Sequence, residues 1–515
     1  MDIAYKIIKT RRGMDTIIVS IDGREIPLHS TMNPEREADM LHDRFDPARF
    51  DVLIVLGTGL GYHLVPLKGR INDYSRVILI DILPGIDAVI ARNEMTSFLL
   101  NSPSVTLVTG KQVETVEALL SDAIDMDSMR GISVLEHPAS LRIFGAYYGR
   151  IKKSIDKMIT IKAGNKATRR AFGALYVRNI LRNFGLIESM RPVRGIFGAF
   201  GQYPAVIAGS GPSLDSDIGL IKRHQERFFI ISVDSALPAL TQRGVYPDII
   251  ISIDPQPYVL EHFMKCSAGH AIPVFSLSSH PSVLKRLKGF ISLTSHPLSQ
   301  LAAQVYGDSV GSVDSSTGSV AGDAVRFCVK CGFMAIGITG LDFSFLDYNI
   351  YARGTAYQKR YAVYFQDRVS TVEGYNFRYI FTSSGGLKQD GRFTRKSFQH
   401  YRQSLEDFIR NNAINVIYRL NDRGAPLTGV PFLGPEDFIA KQCGAAIDKK
   451  RIIDSIREAP PFLDGRALRT ALDGIIGTPL FDEILRVSLG REPGPRERSR
   501  YREMAASVAS GGPAK

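Results

Sequence analysis

Three carboxylates follow apolar runs of strand length in this 515-residue sequence: Asp234 after Phe228–Val233, Asp254 after Ile249–Ile253, and Asp342 after Met334–Leu341. Carboxyl groups at strand ends can accept a proton from a hydroxyl or hold a cation. A further apolar run, Ala205–Ala208, breaks into Gly209-Ser210-Gly211-Pro212-Ser213, and a helix is expected from Leu214. That junction offers an anion a set of backbone N–H groups and a helix N-terminus, with glycines permitting close approach. Ser315-Ser316-Thr317-Gly318, before another expected helix, could add hydroxyls and N–H groups. Alone it is an ordinary helix cap; beside the strand-end acids it favours a nucleotide pocket.

The elements that must position these residues alternate. Strand-like runs separated by helix-length segments predict a parallel α/β sheet whose ligands bind at the C-terminal strand edge. The same pattern occurs upstream, where Val52–Leu56 leads into Gly57-Thr58-Gly59-Leu60-Gly61 and Val77–Ile80 ends in Asp81. This glycine spacing fits dinucleotide and S-adenosylmethionine folds and equally a tight strand-to-helix turn with no ligand. The fold class expected is α/β: two Rossmann-like parallel-sheet domains joined by a helical linker, plus a C-terminal helical domain. The boundaries are 1–140 for a β-rich entry and first sheet, 141–190 for the linker, and 191–434 for the central domain. Residues 435–495 are expected to form the helical domain and 496–515 a flexible tail.

Composition excludes several classes. No apolar run is long enough to span a bilayer, and the N-terminus lacks a signal-peptide pattern, so a cytoplasmic location is expected. Four cysteines are too few for a disulfide scaffold, and Cys328-Val329-Lys330-Cys331 lacks the second pair of a zinc site. The net charge of +12 owes much to arginines near the C-terminus and comes without a nucleic-acid-binding module, so no nucleic-acid partner is expected.

Taken in order, Ile207–Leu214, Ile230–Ser235, Pro247-Asp248, Ile253-Asp254-Pro255, Ser315–Gly318 and Gly340–Phe343 resemble the motility-associated factor (Maf) proteins. Gly57–Leu64 and Pro34–Ala38 suit that family's N-terminal domain. The resemblance covers roughly residues 15–430. It implies a flagellin glycosyltransferase whose central domain is similar to bacterial sialyltransferases, with a CMP-activated nonulosonic acid as donor and flagellin as partner. On that basis Gly209, Ser210, Gly211, Pro212 and Ser213 hold the CMP phosphate and ribose. Asp234, Ser235, Asp254, Gly340 and Asp342 line the donor, and Ser315, Ser316, Thr317 and Gly318 face the cytidine. Asp234 and Asp254 stand where the sialyltransferases commonly carry Asn, a departure that leaves a divalent cation open. No metal ligand set and no other cofactor is implied.

Loss of CMP calls for donors to a leaving phosphate. Past Asp342 the chain supplies Tyr348, Tyr351, Arg353, Tyr357, Lys359, Arg360, Tyr361 and Tyr364. The resemblance selects Tyr351 and Tyr357. The acceptor hydroxyl needs a base, for which Asp254, Asp342, Asp390 and His400 are candidates. The sialyltransferase histidine precedes the last helix, whereas His400 falls inside a helix expected from near Thr394. Two rival readings are a Mg/ATP 6-hydroxymethylpterin pyrophosphokinase, using the three aspartates, and a non-catalytic flagellin chaperone.

Overall fold

The structure is a computed structural model that describes residues 3–36, 46–124, 129, 131–264, 266, 269–314, 317–357, 360, 371–384, 387–458 and 461–512. It divides into two units, Met1–Arg170 and Ala171–Lys515.

The first unit opens with an antiparallel sheet of β1 (Tyr5–Lys9), β2 (Asp15–Ile21) and β3 (Arg24–Pro27). Asp22 and Gly23 turn the β2–β3 hairpin with φ of 49° and 74°. That left-handed pair is what a tight hairpin needs and why Asp-Gly stands there. Four parallel strands follow: β4 (Val52–Leu56), β5 (Arg76–Asp81), β6 (Val105–Thr109) and β7 (Ile132–Glu136). Their order is β6-β5-β4-β7, so the winding reverses beside β4, where the turn Gly57–Gly61 lies.

The second unit carries an eight-stranded parallel sheet ordered β17-β14-β9-β10-β11-β12-β13-β8. Its strands are β8 (Arg191–Pro192), β9 (Pro204–Ala208), β10 (Phe229–Val233), β11 (Ile249–Ser252), β12 (Ile272–Ser276), β13 (Phe290–Ser292), β14 (Ala335–Thr339) and β17 (Ile417–Arg419). A small hairpin, β15 (Lys388–Gln389) with β16 (Arg392–Phe393), lies outside it. β9, β10, β11, β12 and β14 are buried throughout, because helices cover both faces of a sheet with parallel crossovers. From β9 the chain winds one way through β10 to β13 and then returns to β14 on the other side of β9. The crevice between the loops after β9 and β14 is therefore the place where such sheets bind ligands.

Three expectations about domains change. The helix Gly145–Phe184 begins in the first unit and ends in the second, where Val177, Ile180, Leu181 and Phe184 enter the core, so it is more than a linker. The helices Pro435–Gln442 and Lys449–Glu458 bury Phe438, Ile439, Ile453 and Ile456 with the sheet residues of the second unit, instead of forming a separate domain. The expected flexible tail contains the helix Pro495–Ala509, which buries Tyr501, Met504, Ala505 and Val508. Its arginines made the stretch look like a solvated tail. They pair with acids, as Arg502 and Arg498 do with Asp482 at 2.8 and 3.4 Å.

Candidate functional site

At the crevice the two loops are stitched to each other. The Gly209 and Gly211 N–H groups donate to the Thr339 and Gly340 carbonyls, each at 2.8 Å. The Ser213 N–H donates to Asp342 Oδ2 at 2.9 Å, and the Gly340 N–H donates to Ser213 Oγ at 3.0 Å. A β-carbon at Gly209 would stand 2.3 Å from the Gly340 oxygen, and one at Gly211 would stand 2.5 Å from Asp342 Oδ2. Glycine is thus required here by the neighbouring loop. Ser213 is buried, and the part of the turn a ligand can reach narrows to Ser210 and Gly211, both half-buried. Ser235 joins them, its hydroxyl donating to Ser210 Oγ at 3.0 Å. Pro212 is buried behind this edge.

Asp342 fastens the crossing. Burial raises its pKa to about 6 against the opposing bonds from Ser213. Its carbonyl accepts from the Ala425 N–H at 2.8 Å, and a β-carbon at Gly424 would stand 2.9 Å from its Cα. A carboxyl enclosed in this way holds two loops together.

Of the other two strand-end acids, Asp234 is buried as Asp342 is, and Asp254 is the more exposed. Asp234 Oδ1 accepts from the Ser235 N–H at 2.7 Å and Oδ2 from the Ser252 hydroxyl at 2.9 Å. Burial first, and then the charge of Asp254, push its pKa up to about 7. Asp254 is half-buried and accepts from the Gln256 N–H at 2.8 Å and the Tyr258 hydroxyl at 3.0 Å. Burial raises its pKa too. Two coupled carboxyls, one retaining its proton near neutrality, can supply an acid and a base side by side. Asn179, on the helix Gly145–Phe184, fixes this loop by donating to the Pro255 carbonyl at 2.9 Å.

Tyrosines surround Asp254. Tyr351 and Tyr357 have ring centroids 4.8 Å apart. Burial raises the Tyr351 pKa, while the charge of Arg395 works against the shift; Tyr379, Tyr401 and Asp254 reinforce it. Tyr176 is likewise raised by burial, then by Asp254, Tyr401 and Asp314. Gly318, with φ of 74°, lies against Tyr401: a β-carbon there would be 3.4 Å from that ring. Thr317 is buried beside it, and Ser319 caps the next helix by accepting from the Gly322 N–H at 3.1 Å. Ser315, Ser316, Lys359, Tyr361 and Tyr364 lie outside the described residues.

Other expected residues fall elsewhere. The helix expected near Thr394 runs from Lys396 to Asn411, and His400 stands one turn inside it, exposed, 6.3 Å from the Tyr401 ring. Asp390 is exposed and pairs with Arg402 at 3.1 Å. Arg353 offers its N–H to Asp215, and Arg360 lies 4.7 Å over Tyr258 while bonding Glu261 at 2.8 Å. Tyr176, Tyr258, Tyr379, Arg395 and Tyr401 escaped sequence reasoning. Only Tyr258, four residues past Asp254, carried a local signal; Tyr176 is brought in by a helix from far upstream.

The first unit's glycine turn is closed by its own side chains. The Gly59 and Leu60 N–H groups donate to Asp81 Oδ2 at 2.7 Å and His29 Nε2 at 2.8 Å. β-Carbons at Gly57, Gly59 and Gly61 would meet Ser140, His29 and Leu99 at 2.3, 2.3 and 2.6 Å. The spacing serves packing at this turn.

Comparison with known proteins adds three findings. Residues 178–348 match the family model described as 6-hydroxymethylpterin diphosphokinase MptE-like. Two uncharacterized proteins of Treponema pallidum (strain Nichols) are similar in sequence. One is 29% identical over 301 residues, covering 58% of this chain and 62% of its own length. The other is 38% identical over 85 residues, covering 16% of this chain and 40% of its own. The chain thus spans less than two thirds of either relative. The MAf glycosyltransferase from Magnetospirillum magneticum AMB-1 has a similar structure at 14% identity, with a TM-score of 0.60 over 98% of this chain and 86% of that one. The two chains share their fold, two parallel-sheet units with a helical C-terminal region.

Proposed function

We propose that the chain is a glycosyltransferase that moves a nonulosonic acid from its CMP-activated form onto Ser or Thr hydroxyls of flagellin. The observation that carries this reading is the group of tyrosines near Asp254, on the loop after β11 beside the crevice of the second sheet, in a chain with the fold of a MAf glycosyltransferase. The family resemblance of the sequence supplies donor and acceptor. In this reading the bond between the sugar's anomeric carbon and the CMP phosphate breaks as the acceptor oxygen bonds to that carbon. Tyr351 and Tyr357 donate to the departing phosphate, and Asp254 takes the hydroxyl proton. Asp254 suits the base role better than Asp342, which is tied to Ser213, or His400, which faces solvent. Ser210, Gly211 and Ser235 line the nucleotide, and a cytoplasmic setting would bring the enzyme and nascent flagellin together.

The match of residues 178–348 to the MptE-like model favours one alternative, a pyrophosphokinase acting on a hydroxymethylpterin with ATP and Mg²⁺. Thermal shift separates them. The transferase reading expects stabilisation by CMP and CMP-nonulosonic acids and none by ATP, Mg²⁺ and pterin. The reverse pattern overturns it.

A further inference from the structure

Arg395 is half-buried within electrostatic reach of Tyr351, and no described carboxylate pairs with it. Its position is fixed from three sides. The neighbouring Thr394 hydroxyl donates to the Phe343 carbonyl at 2.9 Å, one residue past Asp342. The Phe345 N–H donates to the Phe393 carbonyl at 2.8 Å, tying the approach strand to the loop after β14. The guanidinium lies 4.1 Å over the Phe398 ring, and Nη1 donates to the Tyr379 hydroxyl at 3.1 Å. Nε is buried without a hydrogen-bond partner among the described residues. Tyr351 feels the charge of Arg395, together with Tyr379, Tyr401 and Asp254.

A half-buried guanidinium with a stacking ring, a positioning hydroxyl, an unsatisfied buried Nε and no counter-ion among the described residues is suited to an oxyanion. We propose that Arg395 supplies the positive charge that binds an anionic group of the substrate, a phosphate or a carboxylate, with Tyr379 and Phe398 fixing the orientation of its fork. This rests on the reading of the residues around Asp254 and Tyr351 as the donor site. It assigns that site's specificity to acidic donors. A guanidinium offers donors and charge but no acceptor, so its part is binding and charge neutralisation.

The test is calorimetric binding of cytidine, CMP, a CMP-nonulosonic acid and Mg-ATP to the full chain and to Arg395→Gln. A loss of about 10- to 100-fold for CMP, with cytidine unchanged, places the phosphate on Arg395. A similar loss confined to the CMP-nonulosonic acid places the sugar carboxylate there. Arg395-dependent binding of Mg-ATP alone keeps the inference and overturns the transferase reading. Equal binding of every ligand by both proteins, or no anion binding at all, overturns the inference. Arg395→Lys retains the stem and charge but not the fork. It is expected to bind about 3- to 10-fold more weakly than the native chain and carries the test if the Gln variant does not fold.

Discussion

Asp234 is the residue whose titration reports most directly on the two acids after β10 and β11. A carboxyl raised to about 7 in the folded chain remains protonated where its unfolded counterpart, near ~3.9, has already ionised. Between those values the folded state binds more protons, so stability falls as pH rises from about 4 to about 7 and is level above. Asp234→Asn removes that slope. The variant is expected to gain roughly 2–4 kcal/mol relative to the native chain at pH 7.5 over pH 4, measured by urea unfolding. Parallel pH profiles would contradict the placement of this carboxyl. Ser213 gives a contrasting case. Ser213→Ala leaves the buried Gly340 N–H without its acceptor and should cost about 1–3 kcal/mol in stability, a structural loss, since the side chain is enclosed.

At the scale of elements, the crossing of the loops after β9 and β14 sets what can change. Gly211→Ala brings a β-carbon within 2.5 Å of Asp342 Oδ2 and 2.7 Å of the Gly340 oxygen. Overpacking of this kind should lower stability by about 1–3 kcal/mol or more. Gly219, on the outer face of the helix Leu214–His224, has nothing near its β-position. Gly219→Ala should stabilise by about 0.5–1 kcal/mol, and thermal denaturation of the two variants checks both signs. The glycine–serine turn was legible because apolar runs and glycine punctuation mark parallel strands and their ends. What the glycines make room for was not, since Gly340 and Asp342 lie more than a hundred residues downstream. Short strands such as β13 and β17, three residues each, carry too little periodicity to be read from sequence. Arg395 and the tyrosines at positions 176, 379 and 401 meet only through the fold.

Across the whole molecule, the charged C-terminal stretch is a structural member of the second unit. Removing residues 495–515 takes Tyr501, Met504, Ala505 and Val508 from a core that also holds Val177, Ile180 and Leu181. Burial on this scale contributes several kcal/mol, at about 1.5–3 kcal/mol for a large side chain, so the truncated chain should unfold far more readily or lose solubility. An unchanged melting temperature would restore the flexible-tail expectation. Among the described residues no helix is long and apolar enough to cross a membrane. The decisive assay is the intact mass of unmodified flagellin incubated with the protein and CMP-pseudaminic or CMP-legionaminic acid. The account predicts mass gains of one nonulosonic acid per modified hydroxyl, abolished by Asp254→Asn and strongly slowed by Tyr351→Phe. Flagellin unchanged in mass with either donor, alongside turnover of ATP and a hydroxymethylpterin, would contradict it.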